Sequence, residues 1–253
     1  MLCGELAHAQ GQTSADSIRA LAFDRLDRTS RALLSTVSCA RRAGYLRGVG
    51  VLGRADSVGR TGLCLRKDGR ALAAYFTTDS GYSRATDLRV LDVADSAWYR
   101  GRVDTSAIIA QARAANEAVR RGFPLFQQRR RAFTPVSIRS YADTIEVWLL
   151  PLDFFAQPVP TAVGGERGYI YSPDGGALVR EVDAFDRHRA FAVPDTGIVE
   201  IISTEDALPL LSELIAANRI HSMGREVRIV TDAFISQLVR GPPEVWVHLK
   251  RRP

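Results

Sequence analysis

A chain of 253 residues that is 46% hydrophobic and 25% charged has the balance of an ordinary globular protein, which excludes a disordered or fibrous chain. The net charge is +6, yet Lys67 and Lys250 are the only lysines and the arginines are scattered from Arg19 to Arg252, so nucleic-acid binding is not favoured. The chain has no stretch of about 18 apolar residues, so we expect no transmembrane segment.

The first 12 residues differ in composition from the rest of the chain. Ala7-His8-Ala9 has the small-x-small pattern of a signal-peptidase site, although the apolar and basic regions of a signal peptide are missing. Residues 1–12 are therefore either the remnant of a secretory signal, with the true start upstream of Met1, or a disordered N-terminus. The first alternative predicts a periplasmic or secreted protein, and the second a cytoplasmic one.

The cysteines bear on the same question. Cleavage after Ala9 would remove Cys3 and leave Cys39 and Cys64 as a pair. Such a pair can form one disulfide in an oxidising compartment, and a loop of about 25 residues would make that bond worth roughly 3 kcal/mol. The alternative is that both cysteines are small, buried apolar side chains.

Two helices are predicted in the first half of the chain. Apolar residues recur at helical spacing over residues 13–42, and Gly44 follows as a stop. The second helix is capped by Asp104 or Thr105, and we expect it to end at Gly122 because a proline follows two residues later.

Most of the remaining pattern predicts strands joined by hairpins. In Ser172-Pro-Asp-Gly-Gly the proline presets φ and the glycines allow positive φ, so residues 168–171 and 177–182 are predicted to form a hairpin. Asp68-Gly69 predicts a second hairpin. The other predicted elements are strands at 63–66, 71–77, 88–93, 136–140, 144–151, 198–202, 226–230, 234–239 and 245–249, and a helix from Ser203 to about Asn218.

This order of elements predicts an α+β fold, with a mostly antiparallel sheet built from hairpins and two or three helices packed on one face. A parallel sheet would need a crossover helix after nearly every strand. We expect residues 13–253 to form a single domain, with a soft subdivision near 123–135.

The common cofactor and metal motifs do not fit. Gly48-Val-Gly-Val-Leu-Gly53 matches G-x-G-x-x-G, but the helix that should start inside the glycines is not predicted there. The cysteines have no C-x-x-C pairing and the histidines no H-x-x-x-H spacing, so we expect no metal and no cofactor.

The candidate site residues lie just after the predicted hairpin of residues 168–182. Asp186, His188 and Arg189 place an acid, an imidazole and a guanidinium together, a set that can handle a proton or bind an anion. His188 is the first catalytic candidate. The alternative is a solvated loop with a local ion pair.

Residues 105–191 resemble uncharacterised exported α+β proteins of Gram-negative bacteria. The resemblance rests on the strand Glu146-Val-Trp-Leu-Leu-Pro151, on Gly164-Gly165-Glu166, on the turn Ser172-Pro-Asp-Gly175 and on the pair His188-Arg189. It implies an exported α+β protein and brings no known activity.

Three functions follow as hypotheses. The first is an exported envelope protein that acts as a non-catalytic binding or structural module for a peptide, an anion or a protein partner. The second is a hydrolase whose dispersed serine and acid meet around His188. The third is nucleic-acid binding through arginines.

Overall fold

The computed structural model describes residues 3–48, 61–139, 143–156, 160–203, 208–241 and 244–251. It contains the helices α1 (Cys3–Gly48), α2 (Thr105–Gln128), α3 (Asp153–Ala156) and α4 (Leu211–Ser222), and a 3₁₀ turn at Phe185–Arg187. The strands are β1 (Thr61–Lys67), β2 (Arg70–Thr78), β3 (Ala85–Asp92), β4 (Ala97–Trp98), β5 (Phe133–Arg139), β6 (Ile145–Pro151), β7 (Ala162–Val163), β8 (Arg167–Tyr171), β9 (Leu178–Asp183), β10 (Arg189–Ala190), β11 (Val199–Ile202), β12 (Val227–Val230), β13 (Phe234–Val239) and β14 (Val245–Lys250).

The chain forms two compact units. Unit 1 contains residues 1–31, 153–165 and 184–253, and unit 2 contains residues 32–152 and 166–183. Residues 123–135, where the sequence suggested a soft subdivision, lie inside unit 2. The predicted α+β class with antiparallel sheets is confirmed, although the strands form several sheets.

Unit 2 holds two antiparallel four-stranded sheets, ordered β1-β2-β3-β4 and β5-β6-β8-β9. Both predicted hairpins form: Asp68 and Gly69 take positive φ in the first turn, and Gly175 does so in the second. Helix α2 packs Ile108 and Ala112 on the first sheet and also contacts β5 and β6 of the second.

Unit 1 is built on the sheet β11-β12-β13-β14. Strands β11 and β12 are parallel because α4 crosses over between them, and the other two pairings are antiparallel hairpins. Alternate residues of these strands point to one face and bury an apolar core against α4 and Phe23 of α1. This core consists of Phe23, Val163, Val199, Ile201, Leu214, Ala216, Ala217, Ile220, Val227, Ile229 and Leu238.

Three predicted helix limits are wrong. Helix α1 continues to Gly48, past Gly44, because Ala43 and Leu46 are buried against the first sheet of unit 2. Helix α2 continues past Gly122 to Gln128. Helix α4 begins at Leu211, after the proline at 209, and residues 204–207 of the predicted helix start lie outside the described residues.

The N-terminal residues 3–12 are the first turns of α1. The glycine-rich segment from residue 49 to residue 53 lies outside the described residues. Within the described part of the chain, none of the helices combines the length and the apolar character needed to cross a membrane.

Candidate functional site

A small cavity opens in unit 1 between the first half of α1 and the β12–β14 end of the sheet. Its enclosed space is about 30 Å³, and the figure rises to about 310 Å³ only when the open solvent at its mouth is included. Its apolar wall is made by Ala20 and Phe23 of α1 with Leu208 and Phe234, and its polar groups come from Arg19, Thr231, Ser236 and His248. Cavities that bind small molecules share this composition, with apolar walls and a few placed polar groups.

The polar floor of the cavity is a pair of side chains on neighbouring strands. Ser236 on β13 is directly opposite His248 on β14, and Ser236 Oγ lies 2.9 Å from His248 Nδ1. In the tautomer whose Nδ1 is unprotonated, the Ser236 hydroxyl donates and Nδ1 accepts. The neutral imidazole then carries its proton on Nε2, which is free to donate to a ligand.

The surroundings of His248 favour this neutral form. The imidazole packs edge-on against Phe23, with ring centres 4.5 Å apart, and Phe234 lies 6.4 Å away. Burial lowers the pKa of His248, and the negative charge of Asp24 on α1 offsets this only in part.

The β12–β13 turn positions a second hydroxyl at the cavity. Thr231 Oγ1 accepts a hydrogen bond from the Phe234 backbone N–H at 3.0 Å and donates to the Phe234 carbonyl at 3.2 Å. These bonds hold Thr231 against the turn and fix the ring of Phe234 at the cavity wall.

The predicted site residues lie elsewhere in unit 1. His188 Nε2 is 2.9 Å from Asp153 Oδ2, at the start of α3, and Asp186 is exposed in the 3₁₀ turn. Among the described residues, the hydrogen-bond partner of the His188 ring is an acid and not a hydroxyl.

Arg189 binds a different partner from the adjacent His188. Its guanidinium binds Oε1 of Glu213, a fully buried carboxylate in the first turn of α4, and also the Ile202 carbonyl. The other carboxylate oxygen accepts the Leu210 backbone N–H at 2.9 Å, and Ser212 Oγ accepts the Gly164 N–H at 2.8 Å. Arg189 thus ties β10 to the N-terminus of α4, which is a structural role.

In unit 2, Cys39 of α1 and Cys64 of β1 are joined by a disulfide. Both half-cystines are buried in the cluster that α1 forms with β1, β2 and β3. The bond closes the chain around the segment between them, which includes residues outside the described ranges.

Many arginines are paired with carboxylates of their own unit. Two of those in α2, Arg120 and Arg121, both bind Glu117. Further pairs are Arg31 with Asp27 and Glu244, Arg70 with Asp92 and Asp95, Arg139 with Asp143, Arg167 with Glu181 and Asp183, and Arg228 with Glu200. These pairs reduce the charge available to phosphates.

Ser236 and His248 were not among the site residues predicted from the sequence. The alternation of β13 and β14 puts both residues on the inner face, but their pairing depends on the hairpin register. Among the described residues, no group of three or more histidine, cysteine or acidic side chains could hold a metal ion.

Comparison with known proteins gives no relative: no protein-family model, no curated protein and no solved structure matches this chain.

Proposed function

We propose that the protein is an exported, non-catalytic binding module whose unit 1 cavity holds a small, mainly apolar molecule bearing one hydrogen-bond acceptor. The observation that carries the proposal is that one side of the cavity is apolar and aromatic, while the hydrogen-bonding pair Ser236–His248 lies at its bottom. The aromatic wall suits a ring or branched alkyl group, and the Nε2–H of His248 suits a hydroxyl, carbonyl or carboxylate oxygen.

The state of the polar pair favours binding over catalysis. Ser236 is only 1% exposed, and its hydroxyl is engaged with Nδ1 of His248. A serine nucleophile needs access to its substrate and a group of donors for the developing oxyanion. The floor of this cavity therefore suits recognition of a ligand better than attack on it.

The test uses two probes of the same shape. The full chain is titrated with p-cresol and with toluene, and binding is followed by ligand-observed NMR. Toluene measures the affinity for the ring, and the difference between the two probes measures the gain in affinity from one hydroxyl. We expect both probes to bind, and p-cresol to bind several-fold more tightly, because a hydrogen bond to a polar group contributes about 1 kcal/mol. Failure of both probes to bind would refute the proposal.

A matched pair of variants locates the binding. Ala20 is exposed on α1 and lines the cavity, so Ala20→Trp fills the mouth and should weaken p-cresol binding by at least about tenfold. Ile18→Trp places the same bulk on the same helix at an exposed position outside the lining and should leave binding unchanged. Equal effects of the two variants would place the probe elsewhere.

Export is supported by the Cys39–Cys64 disulfide, because such bonds persist in oxidising compartments and are rare in the cytosol. The resemblance to exported proteins agrees with it. Expression of the natural coding region with its upstream in-frame codons, followed by cell fractionation and mass measurement, tests this part. A product found in the cytosol with both thiols reduced would contradict it.

A hydrolase is a second candidate because Ser236 and His248 form a serine–histidine pair near the charge of Asp24. Turnover of p-nitrophenyl acetate that disappears in Ser236→Ala, but not in Ser222→Ala on the exposed end of α4, would favour it over simple binding. Equal rates in both variants would remove the candidate.

A further inference from the structure

The edge of the unit 1 sheet is open at β14. This strand pairs with β13 on one side, and no other described strand is hydrogen-bonded to it. The register with β13 runs without a shift through six pairs, from Phe234 with Lys250 to Val239 with Val245. Strand β14 therefore contains neither a proline nor a bulge, two devices that commonly protect sheet edges.

The side chains along this edge are sorted onto two faces. Trp246 and His248 point inward, where both rings contact Phe23. Val245, Val247 and Leu249 point outward and remain 48%, 43% and 59% exposed. The open edge thus carries a continuous row of three apolar side chains that the core of unit 1 does not use.

We propose that β14 pairs antiparallel with β14 of a second copy of this chain, with the two-fold axis at Val247. In this register Val247 faces the partner's Val247, and Val245 faces the partner's Leu249. On the inner face Trp246 lies opposite the partner's His248. The two sheets become one eight-stranded sheet, and the two outward apolar rows lie side by side across the seam.

The charges at the ends of β14 favour this register. With the axis at Val247, Glu244 lies opposite the partner's Lys250 at both ends of the seam. Moving the axis by one residue, to Trp246 or to His248, removes both of these opposite-charge pairs. It also takes Leu249 (axis at Trp246) or Val245 (axis at His248) out of the row of facing outward residues. Glu244 is held at its end of the strand by Arg31, at 3.2 Å, and lies 3.3 Å from His221.

A second copy also explains the edge better than a peptide from another protein. The segment from Glu244, the residue just before β14, to Lys250 is complementary to itself when it is reversed: it has an acid at one end, a base at the other and branched apolar residues on its outward face. An isologous interface needs such self-complementarity, whereas capture of an unrelated strand does not.

Sedimentation equilibrium of the full chain over a range of concentrations tests the proposal. The expected species has twice the 27.8 kDa mass of the chain. Val247→Lys places two like charges in contact across the axis and should produce a monomer at the same concentration. The control is Ile202→Lys on β11, which makes the same change on the same face of the sheet, at a residue 65% exposed, but at the opposite edge. It should leave the dimer intact.

Charge complementation tests the register. Val247→Lys and Val247→Glu proteins should each be monomeric alone, and an equimolar mixture should form a heterodimer, because only a two-fold axis at this residue brings the two new charges together. Circular dichroism of each variant checks that it is folded.

Three results would overturn the proposal. A wild-type chain that stays monomeric at high concentration removes it, and dimerisation seen only after an added peptide would replace it with strand capture. A dimer abolished by Ile202→Lys but not by Val247→Lys would place the contact on the sheet face instead of the edge. Monomers that fail to associate on mixing would exclude the Val247 axis.

Discussion

Ser236 and His248 face each other across β13 and β14, with Ser236 Oγ 2.9 Å from His248 Nδ1, and this pair makes the floor of the unit 1 cavity. Its two members alternate with residues that point to the opposite, solvent-facing side of the sheet. The pair therefore combines a hydrogen bond with burial of a titratable ring. This buried position lowers the pKa of His248 and so sets the pH at which the ring takes up a proton.

Acidification should destabilise unit 1 through His248. Burial lowers the pKa of its imidazole in the folded state below the ordinary value of 6.5, so the unfolded chain binds more protons than the folded one in that range. The stability contributed by the neutral ring is complete above about pH 6.5 and is lost as the pH falls from that value through the lower folded-state pKa. An NMR titration of the His248 ring should give a midpoint below 6.5.

The His248→Gln variant provides the control for that prediction. Glutamine keeps a hydrogen-bonding group opposite Ser236 but does not titrate. The loss of unfolding free energy between about pH 7 and pH 5, measured by denaturant titration, should be smaller in the variant than in the wild type. A wild-type midpoint at or above 6.5, or equal losses in the two proteins, would show that burial does not control the pKa of the His248 ring.

The Cys39–Cys64 disulfide should stabilise unit 2. Cys39→Ala combined with Cys64→Ala removes a bond that closes a loop of 25 residues in sequence separation, so we expect the free energy of unfolding to fall by about 3 kcal/mol. Thermal unfolding with and without reductant measures the loss, and reductant should have no effect on the double variant. Cys3→Ala is the control because Cys3 lies outside the pair. A double variant as stable as the wild type would show that the bond does not form in solution.

The elements predicted best from the sequence are those that local turn chemistry determines. The β8–β9 hairpin forms where predicted because Pro173, Asp174 and Gly175 set the turn by themselves. The Asp68-Gly69 hairpin forms for the same reason. Of the two predicted caps of α2, Asp104 and Thr105, the first is the cap: the Asp104 carboxylate accepts the Ala107 N–H.

The errors arose where a distant contact determines the structure. The cavity could not be predicted, because its wall comes from α1 and its floor from strands more than 200 residues later. The pairing of Ser236 with His248 also depends on the register of β13 with β14. Asp186, His188 and Arg189 are close in sequence, but that closeness does not predict their partners. The neighbours His188 and Arg189 bind different partners, and the acid that binds Arg189 is Glu213.

Removing Arg189 should destabilise unit 1 because it leaves the Glu213 carboxylate buried without its cation. Loss of one partner of a buried pair typically costs about 3–5 kcal/mol, and because Arg189 keeps some contact with solvent we expect about 2–4 kcal/mol for Arg189→Ala. Denaturant unfolding measures the change. Arg228→Ala, which breaks the exposed pair with Glu200 in the same unit, should cost less than about 1 kcal/mol.

A second change separates charge burial from simple loss of packing. Glu213→Gln removes the charge but keeps an oxygen that can accept the Leu210 N–H. The double variant Arg189→Ala with Glu213→Gln should therefore be more stable than Arg189→Ala alone. If the two substitutions instead add their costs, the ion pair is not the origin of the effect.

The two glycines Gly44 and Gly122 should respond oppositely to alanine, although both lie inside helices of unit 2. A Cβ at Gly122 would overlap Leu149 Cδ1, and Leu149 is fully buried in β6, so its side chain would have to shift within the core. Gly122→Ala should therefore destabilise the protein by about 1–3 kcal/mol through overpacking. A Cβ at Gly44 would meet no atom within 4 Å, so Gly44→Ala should stabilise α1 by roughly 0.5–1 kcal/mol through helix propensity. Thermal unfolding of both variants shows whether each substitution raises or lowers the stability of the protein. Stabilisation by Gly122→Ala would mean that α2 and β6 are not in close contact at this position. The close packing of Gly122 on Leu149 would then not be the reason for a glycine inside α2.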